Sequence, residues 1–333
     1  MQAFPSFSLE LIRLPLRYEW KLSRNTSVEK INGIIRAEGL GFTGMGEAAP
    51  NIRYQETAER LAEEFSLCLE MMVAQYLDGK SWPQILESLP ACQALKTGLD
   101  MAFLNWQAAR EGKSMHALFH LPAPRPRQIC YTIPVMEPQA IGPFIRSENL
   151  LRFSWLKLKV NAESATEMLQ QALLHFPGKI AIDGNEAWKD PEAVLAFATS
   201  LPAERVLFLE QPLPASMRDA YPELKARSGV EIWGDESVLD ISEPDYWRSA
   251  FSGINVKLMK TGGFSRAVEM LKAARLAGLK TMIGCMVETS VGIAAAMQLE
   301  SLADYMDLDG FILLEKEPYG KVREGAGSVF LTA

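Results

Sequence analysis

The sequence has few of the residues on which many catalytic and metal sites are built. Its 333 residues include four cysteines, scattered without a CxxC pair, so neither a zinc site of that kind nor a disulfide framework is indicated. Three histidines leave little material for catalysis by histidine. Cysteines spaced in this way fit a reducing compartment, and we expect a cytoplasmic protein.

Long apolar runs and an excess of positive charge are also missing. No stretch of 18 uncharged apolar residues occurs, and no basic segment followed by an apolar run begins the chain, so neither a membrane span nor a secretory signal is expected. Lys and Arg number 34 against 41 Asp and Glu, a net charge of −7, which argues against a nucleic-acid partner. We expect a soluble acidic enzyme that acts on a small molecule. Self-association into a homo-oligomer is left open.

The first part of the chain is predicted to be an α+β domain. Residues 6–50 contain three strand patterns, with a glycine-containing turn between the last two, which indicates a small antiparallel sheet. Residues 56–77 and 91–111 place apolar side chains three and four positions apart, as amphipathic helices do. Three prolines within 121–128 end this unit. The predicted domain therefore extends over residues 1–122.

From residue 123 onward, eight short apolar runs alternate with seven helical segments. Residues near the C-terminal ends of these runs are Thr132, Lys159, Asp183, Glu210, Asp235, Lys257, Gly284 and Asp307. They are 22 to 27 positions apart, the length of one strand, one helix and two loops. This interval favours a parallel array that closes into a barrel with its active site at the C-terminal strand ends. An open doubly wound sheet is the alternative, but neither GxGxxG after the first strand nor a P-loop is present.

Three of these strand ends carry carboxylates. Asp183, Glu210 and Asp235 end successive strands, so their side chains should converge on one part of the barrel rim. Converging carboxylates raise one another's pKa unless a cation lies among them. Oxygen ligands without imidazole or thiolate favour a hard ion, with Mg²⁺ before Mn²⁺ or Ca²⁺. Each acid alone would be better explained as a loop residue or a helix cap, but their shared position favours a Mg²⁺ site.

Lysines end strands on both sides of these acids. Lys157 and Lys159 are two residues apart on one strand and so face the same way. Lys257 follows on a later strand and should lie roughly opposite them. Lys260 is a rival to Lys257, but three residues further along a strand it should face the opposite way.

These motifs resemble those of the enolase superfamily, in its muconate lactonizing enzyme subgroup. The markers occur in order as KLKV at 157–160, DGNEAW at 183–188, EQPLP at 210–214, GDES at 234–237 and NVKLMKTGG at 255–263. The resemblance covers nearly the whole chain, including an N-terminal domain that caps the barrel in this subgroup. It implies Mg²⁺ held by the three acids and one catalytic lysine on each side of the substrate's α-carbon.

The chemistry agrees with that implication. Removing a proton beside a carboxylate creates an enediolate, whose charge a divalent cation and a hydrogen bond from Lys157 would offset. Lys159 and Lys257 would each act as a base on one face, with pKa values lowered by the metal and by the second ammonium. Two bases allow racemisation or epimerisation, whereas dehydration or cycloisomerisation needs only one. These lysines alone therefore do not decide the reaction.

Segments at the last two strands reduce the number of possible reactions. Asp307 and Asp309 resemble the DxD segment with which dipeptide epimerases of this subgroup hold the substrate's α-ammonium. GCMVETSVG at 284–292 resembles their GSMxE segment, with Cys285 where serine is usual. Cys285 and Val287 would face the substrate, although Cys285 could also be a small buried apolar residue.

Further substrate contacts are expected from the first strand and from the capping domain. Thr132 could hydrogen-bond the substrate's carboxylate or peptide group, or cap the following helix. The segments 20–27 and 51–57 resemble loops that close over the barrel mouth in this family. Arg24 or Arg53 could pair with an acidic substrate side chain, although a surface arginine is also consistent with the sequence.

The sequence therefore predicts an α/β protein, a (β/α)7-8 TIM-type barrel with an N-terminal α+β capping domain. We expect the cap over 1–122, the barrel over 123–310 and a C-terminal segment, 311–333, that returns to the cap. The expected activity is that of a Mg²⁺-dependent dipeptide epimerase, an isomerase, acting on L-Ala-D/L-Glu. An o-succinylbenzoate synthase or an N-acylamino acid racemase of the same subgroup is the enzyme alternative. A non-catalytic binding barrel is the alternative from another class.

Overall fold

The computed structural model describes residues 4–21, 26–239 and 241–332. The first domain is a three-stranded antiparallel sheet, ordered β1-β2-β3, with helices packed against it. Its elements are β1 (Ser6–Lys21), β2 (Thr26–Gly39), β3 (Phe42–Ala48), α1 (Ala58–Leu77), α2 (Trp82–Ser88), α3 (Gln93–Arg110) and α4 (Met115–Leu118). The strands and the two long helices match the expected α+β domain, whereas α2 and α4 were not predicted.

Local sequence explains how this domain packs. The hydroxyl of Thr57 accepts a hydrogen bond from the N–H of Arg60 and so caps the start of α1. Helix α3 lies directly on β3, where a Cβ at Gly44 would stand 2.0 Å from the carbonyl oxygen of Ala102. Glycine is therefore required at this position for the helix backbone to approach the sheet.

The second domain is the predicted barrel. Its eight strands are β5 (Tyr131–Ile133), β6 (Trp155–Lys159), β7 (Lys179–Asp183), β8 (Val206–Glu210), β9 (Ile232–Gly234), β10 (Gly253–Lys257), β11 (Lys280–Gly284) and β12 (Tyr305–Asp307), preceded by β4 (Arg127–Gln128). They pair in parallel in chain order from β5 to β12. The N–H of Cys130 donates to the carbonyl of Met306 at 3.3 Å and brings the two ends of the sheet together. The expected barrel with its N-terminal cap is confirmed.

Helices follow the barrel strands along the chain. They are α5 (Pro138–Ser147), α6 (Ala165–His175), α7 (Pro191–Thr199), α8 (Tyr221–Arg227), α9 (Pro244–Ala250), α10 (Leu258–Thr261), α11 (Phe264–Leu276) and α12 (Ser290–Met297). Their apolar faces and the outward-facing residues of the strands form the main core.

The inside of the barrel has two chemically distinct levels. The lower level is a separate apolar cluster that includes Trp155, Phe208 and Trp233, with the last two rings stacked at 4.4 Å. Two residues further along their strands, side chains on the same face reach the upper level, and there Lys157 and Glu210 are polar. The two-residue period of the strands therefore places the polar site directly above the aromatic cluster.

The C-terminal segment contacts both domains. The N–H of Glu315 donates to the carbonyl of Pro15, and the N–H of Arg17 donates to the carbonyl of Leu313, which ties this segment to β1 of the cap. Beyond it, β13 (Val322–Gly325) and β14 (Ser328–Leu331) form a hairpin, and β14 pairs with β4 just before the barrel. This hairpin was not predicted.

Across residues 4–21, 26–239 and 241–332, no helix is both long enough and apolar enough to cross a membrane.

Candidate active site

A cavity of about 380 Å³ lies between the cap and the C-terminal ends of the barrel strands. Ten of the residues predicted for the site line it: Thr132, Lys157, Lys159, Asp235, Lys257, Cys285, Val287, Asp307, Asp309 and Arg53. Asp183 and Glu210 lie beneath the lining residues and are completely buried. Arg24 falls outside the described residues.

Lys157 is the centre of the buried charge network. Its Nζ lies 2.9 Å from Oε2 of Glu210, 3.2 Å from Oδ2 of Asp183 and 2.9 Å from Oδ2 of Asp307. The side chain is almost completely buried, so water contributes little to the solvation of its charge. In this structure the ammonium of Lys157 is the counter-charge that holds these carboxylates together.

Lys159 and Lys257 approach the cavity from opposite walls. Nζ of Lys159 donates to Oδ2 of Asp183 and to Oδ1 of Asn185, both at 2.7 Å. Nζ of Lys257 donates to Oδ2 of Asp235 at 2.8 Å. Their strands, β6 and β10, have three strands between them in either direction around the barrel. A molecule bound in the cavity therefore has one lysine on each side.

Lys260 does not continue the strand of Lys257, so the expectation that it faces away along that strand is wrong. It lies in the short helix α10, which turns its side chain back toward Asp235. Its ammonium donates to both a carboxylate oxygen and the backbone carbonyl of Asp235, and to the carbonyl of Asn255. Lys260 thus shares Asp235 with Lys257 but is absent from the cavity wall.

Burial and neighbouring charges perturb the acids differently. Burial raises the pKa of Glu210 to about 7, against the lowering effect of Lys157. Burial also opposes ionisation of Asp183 and Asp235, but the adjacent lysines outweigh it and the net pKa of each is lowered. These differences follow from the number of lysines that each carboxylate contacts.

The pKa of Lys257, one of the predicted bases, is shifted in the opposite sense to that expected for a base. Burial lowers the pKa of Lys257, but the charge of Asp235 outweighs burial and the net pKa is raised. Burial likewise lowers the pKa of Lys157, and the charges of Asp183, Asp307 and Glu210 raise it well above its usual range. Lys257 is therefore protonated at neutral pH while it lies against Asp235, which it shares with Lys260. A cation shared by the carboxylates would weaken this effect.

The predicted acids have the chemistry of a site for a hard divalent cation. They are three buried carboxylates at the ends of adjacent strands, and Nδ2 of Asn255 orients Glu210 by donating to Oε1 at 2.9 Å. Oδ1 of Asn255 is itself a buried acceptor without a hydrogen-bond partner in the described chain. With Lys157 among the acids, no three His, Cys, Asp or Glu side chains of the described ranges are arranged as metal ligands. The donor set fits Mg²⁺ once the ammonium of Lys157 moves aside.

The two acids at the end of the last barrel strand, Asp307 and Asp309, differ in their surroundings. Asp307 contacts Lys157, and its Oδ1 accepts from Sγ of Cys130 at 3.1 Å. Asp309 accepts from the N–H of Thr132 at 2.6 Å and has no lysine or arginine within ion-pair distance in the described ranges. Burial, followed by the charge of Asp307, raises the pKa of Asp309 to about 6. Asp309 is thus the acid better placed to receive a cation from a ligand.

Arg53 has a partner within the protein. It is in a short 3₁₀ helix of the cap, Ile52–Tyr54, and binds Glu186 through Nε at 2.8 Å and Nη2 at 3.0 Å. Glu186 lies on the loop after β7, so this two-pronged pair joins the cap to the barrel rim. The expected pairing of Arg53 with a substrate has to compete with this contact.

Several residues of the site were not predicted. Asn255 contacts Glu210 and lies two positions before Lys257 on the same strand, so the strand period could have indicated it. Asn185 contacts Lys159 from beyond the end of β7, where that period no longer applies. Lys30 and Tyr54 line the cavity from the cap. Tyr54 belongs to the segment 51–57 that was expected to close over the barrel mouth. The sequence contains no such signal for Lys30, because its position depends on how the cap lies on the barrel.

Comparison with known proteins places these motifs in one family. The family model described as Enolase C-terminal domain-like matches residues 146–317. The L-Ala-D/L-amino acid epimerase of Pedosphaera parvula (strain Ellin514) is 33% identical over an alignment of 318 residues that covers 92% of this chain and 90% of that protein.

Solved structures share the whole architecture. An enolase family member from Agrobacterium tumefaciens, with homology to dipeptide epimerases and with bound sodium and L-Ala-L-Glu, matches with a TM-score of 0.88 and 26% identity over 98% of each chain. A dipeptide epimerase from Enterococcus faecalis V583, complexed with Mg and L-Leu-L-Tyr, matches with a TM-score of 0.87 and 22% identity. That match covers 99% of this chain and 97% of the other, and it supports the fold.

Proposed function

Because this chain belongs to the Enolase C-terminal domain-like family and is an isomerase, we propose that it is a Mg²⁺-dependent dipeptide epimerase. It would invert the α-carbon of the C-terminal residue by a two-lysine 1,1-proton transfer. L-Ala-D/L-Glu is the expected substrate pair.

The position of Lys159 and Lys257 is the observation that carries this proposal. They lie on opposite walls of one cavity, on strands that are as far apart as an eight-stranded barrel allows. Inversion requires that one group removes the α-proton and another delivers a proton to the opposite face. Either lysine can take either role, so both epimers are substrates. A reaction that needed only one base would not require this symmetry.

Asp183, Glu210 and Asp235 would hold the metal, and Lys157 would donate a hydrogen bond to the substrate's carboxylate. When bound, Mg²⁺ supplies positive charge that stabilises the carboxylate as it becomes an enediolate. Moving the ammonium of Lys157 from the carboxylates toward the substrate would keep the buried site close to neutral. The solved epimerase from Enterococcus faecalis, which was complexed with Mg, supports this choice of metal.

Asp309 would bind the α-ammonium of the dipeptide and so fix which residue lies between the lysines. It has no cation within ion-pair distance among the described residues, and the N–H of Thr132 keeps its carboxylate in place. Asp307 would act with it once Lys157 turns to the substrate. Cys285 and Val287 line the wall beside them, where they would contact the substrate's apolar atoms.

Incubation of the protein with L-Ala-L-Glu and Mg²⁺ in ²H₂O tests the proposal. We expect deuterium at the α-carbon of the C-terminal residue and the appearance of L-Ala-D-Glu, both followed by NMR. The Lys159→Ala/Lys257→Ala double variant, purified in the same way, controls for a contaminating epimerase. Absence of α-exchange across a dipeptide library, with Mg²⁺ binding verified by calorimetry, would refute the function.

A further inference from the structure

Among the described residues that line the cavity, one cation differs from the others. Lys157, Lys159, Lys257 and Arg53 each contact at least one carboxylate of the protein. Lys30, which also lines the cavity, contacts none in the described part of the chain. The only hydrogen bond of its ammonium to a described residue goes to Oγ of Ser27, at 3.1 Å.

Lys30 is held in a defined place on the cap. It lies on β2, where it is half-buried, and its burial lowers the pKa of its ammonium. Two residues along the same strand, Asn32 also lines the cavity, and its amide donates to Glu47 and to the carbonyl of Val287. These contacts join β2 to the loop after β11. These hydrogen bonds hold the part of the cap that contains Lys30 against the barrel that contains Lys159 and Lys257.

A half-buried ammonium without an anionic partner favours an anionic ligand. It has already lost part of its hydration, so a carboxylate that binds it gains a charge-assisted hydrogen bond at a reduced desolvation cost. Every other described cation that lines the cavity must first be released from a protein carboxylate. Lys30 requires no such exchange.

We infer that Lys30 determines substrate specificity by binding an anionic side chain on the substrate's C-terminal residue. This inference rests on the proposed function, because it assigns one further contact to a dipeptide already held in the cavity. The barrel residues account for the α-ammonium and the α-carboxylate of that dipeptide. Lys30 is on the cap, which faces these barrel residues across the cavity. It is therefore available to bind the remaining group, the side chain of the inverted residue.

This assignment differs from the sequence-based expectation about which cation pairs with an acidic substrate side chain. Arg53 was a candidate for pairing with an acidic side chain, but both prongs of its guanidinium bind Glu186. Lys30 supplies the positive charge without breaking the contact between cap and barrel. An acidic side chain on the substrate can therefore bind Lys30 without breaking an ion pair within the described part of the protein.

Substitution of Lys30 in the full-length Mg²⁺-loaded protein tests the inference. We expect Lys30→Gln to lower kcat/KM for α-proton exchange of L-Ala-L-Glu by about 10- to 100-fold, and that of L-Ala-L-Gln by less than about 3-fold. Lys30→Glu should shift the preference from L-Ala-L-Glu toward L-Ala-L-Lys. Lys113→Glu, the same charge change on an exposed residue outside the cavity, should leave the preference as it is.

The outcomes separate this inference from the proposed function. If the wild type exchanges L-Ala-L-Gln as fast as L-Ala-L-Glu, or if Lys30→Gln slows both equally, the role of Lys30 is refuted while epimerisation stands. If the wild type exchanges no dipeptide, the proposed function itself fails. Circular dichroism and thermal unfolding of each variant verify that the protein is folded.

Discussion

Nζ of Lys157 lies 2.9 Å from Oε2 of Glu210, a buried carboxylate oxygen that has no hydrogen bond within the described residues. The ammonium therefore stands where a second cation would also be stabilised. The ammonium of Lys157 and a bound Mg²⁺ would repel each other strongly if both lay beside Glu210. Binding of Mg²⁺ and the position of Lys157 are therefore linked. This relationship allows the metal site to be tested without any assay of activity.

Lys157→Gln should make stability depend more strongly on Mg²⁺. Without metal, the variant leaves buried carboxylates without their counter-charge, which costs about 3–5 kcal/mol of the free energy of unfolding. Mg²⁺ replaces that charge, so its addition should raise Tm more in the variant than in the wild type. Thermal unfolding in EDTA and in Mg²⁺ measures this difference, with Lys113→Gln as a surface control. Equal gains for all three proteins would contradict a metal at Asp183, Glu210 and Asp235.

Lys159→Ala and Lys257→Ala should each abolish proton removal from one epimer. Each lysine faces one side of the α-carbon, so a variant retains α-exchange with the epimer whose proton points to the remaining lysine. Exchange of L-Ala-L-Glu and L-Ala-D-Glu in ²H₂O, measured separately, gives opposite patterns for the two variants. Loss of the same epimer in both would show that the lysines do not act on opposite faces.

Asp309→Asn should discriminate a dipeptide epimerase from an N-acylamino acid racemase. Removing the negative charge weakens the contact with an α-ammonium, and kcat/KM for L-Ala-L-Glu should fall about 10- to 100-fold. The same substrate acetylated on its amino group has no ammonium to lose, so any activity on it should be unchanged. Steady-state exchange rates with both compounds make the comparison. A larger loss with the acetylated compound would favour the racemase.

Glu288→Gln should remove a pH dependence of stability. Burial, followed by the charge of Glu47, raises the pKa of Glu288 to about 8, against an ordinary 4.5. Between these values the folded protein holds a proton that the unfolded chain has released, so the free energy of unfolding falls as pH rises. The variant has no such carboxyl group to release a proton. Its free energy of unfolding, measured by urea denaturation, should therefore increase relative to that of the wild type from pH 5 to pH 8. Parallel curves, as expected for the exposed control Glu87→Gln, would contradict it.

Gly310→Ala should impair both folding and dipeptide binding. A Cβ at Gly310 would stand 2.2 Å from the carbonyl oxygen of Met286, so the chain beside Asp309 must shift. We expect a loss of about 1–3 kcal/mol in the free energy of unfolding. A displacement of Asp309 should also lower kcat/KM for L-Ala-L-Glu by about 10-fold or more. Gly325→Ala, where the nearest atom would be 3.6 Å away, serves as control, and equal behaviour of both variants would refute the argument.

Most of the barrel could be predicted from local sequence. The expected runs contain all eight barrel strands, because buried parallel strands leave an apolar pattern of constant period. The terminal hairpin and the helices α2 and α4 were missed. The hairpin's partner is the two-residue strand β4, about 200 positions earlier, which leaves no local pattern to detect.

The strand period also determined which polar side chains reach the cavity. Lys157 and Lys159, two positions apart, both line it, as do Asp307 and Asp309. The same reasoning was wrong for Lys260, because the strand ends at Lys257 and a helical turn follows.

The sequence by itself determined the barrel, its cap and the set of inward-facing charges, because these follow from short-range periodicity and from motifs of fixed spacing. Only the tertiary structure decided how those charges pair. Lys157 contacts three acids, Arg53 is bound by Glu186, and Lys30 meets no carboxylate of the described chain. Pairing depends on distances of a few ångströms between elements that are far apart in sequence, where the Coulomb energy changes steeply and the solvent is excluded.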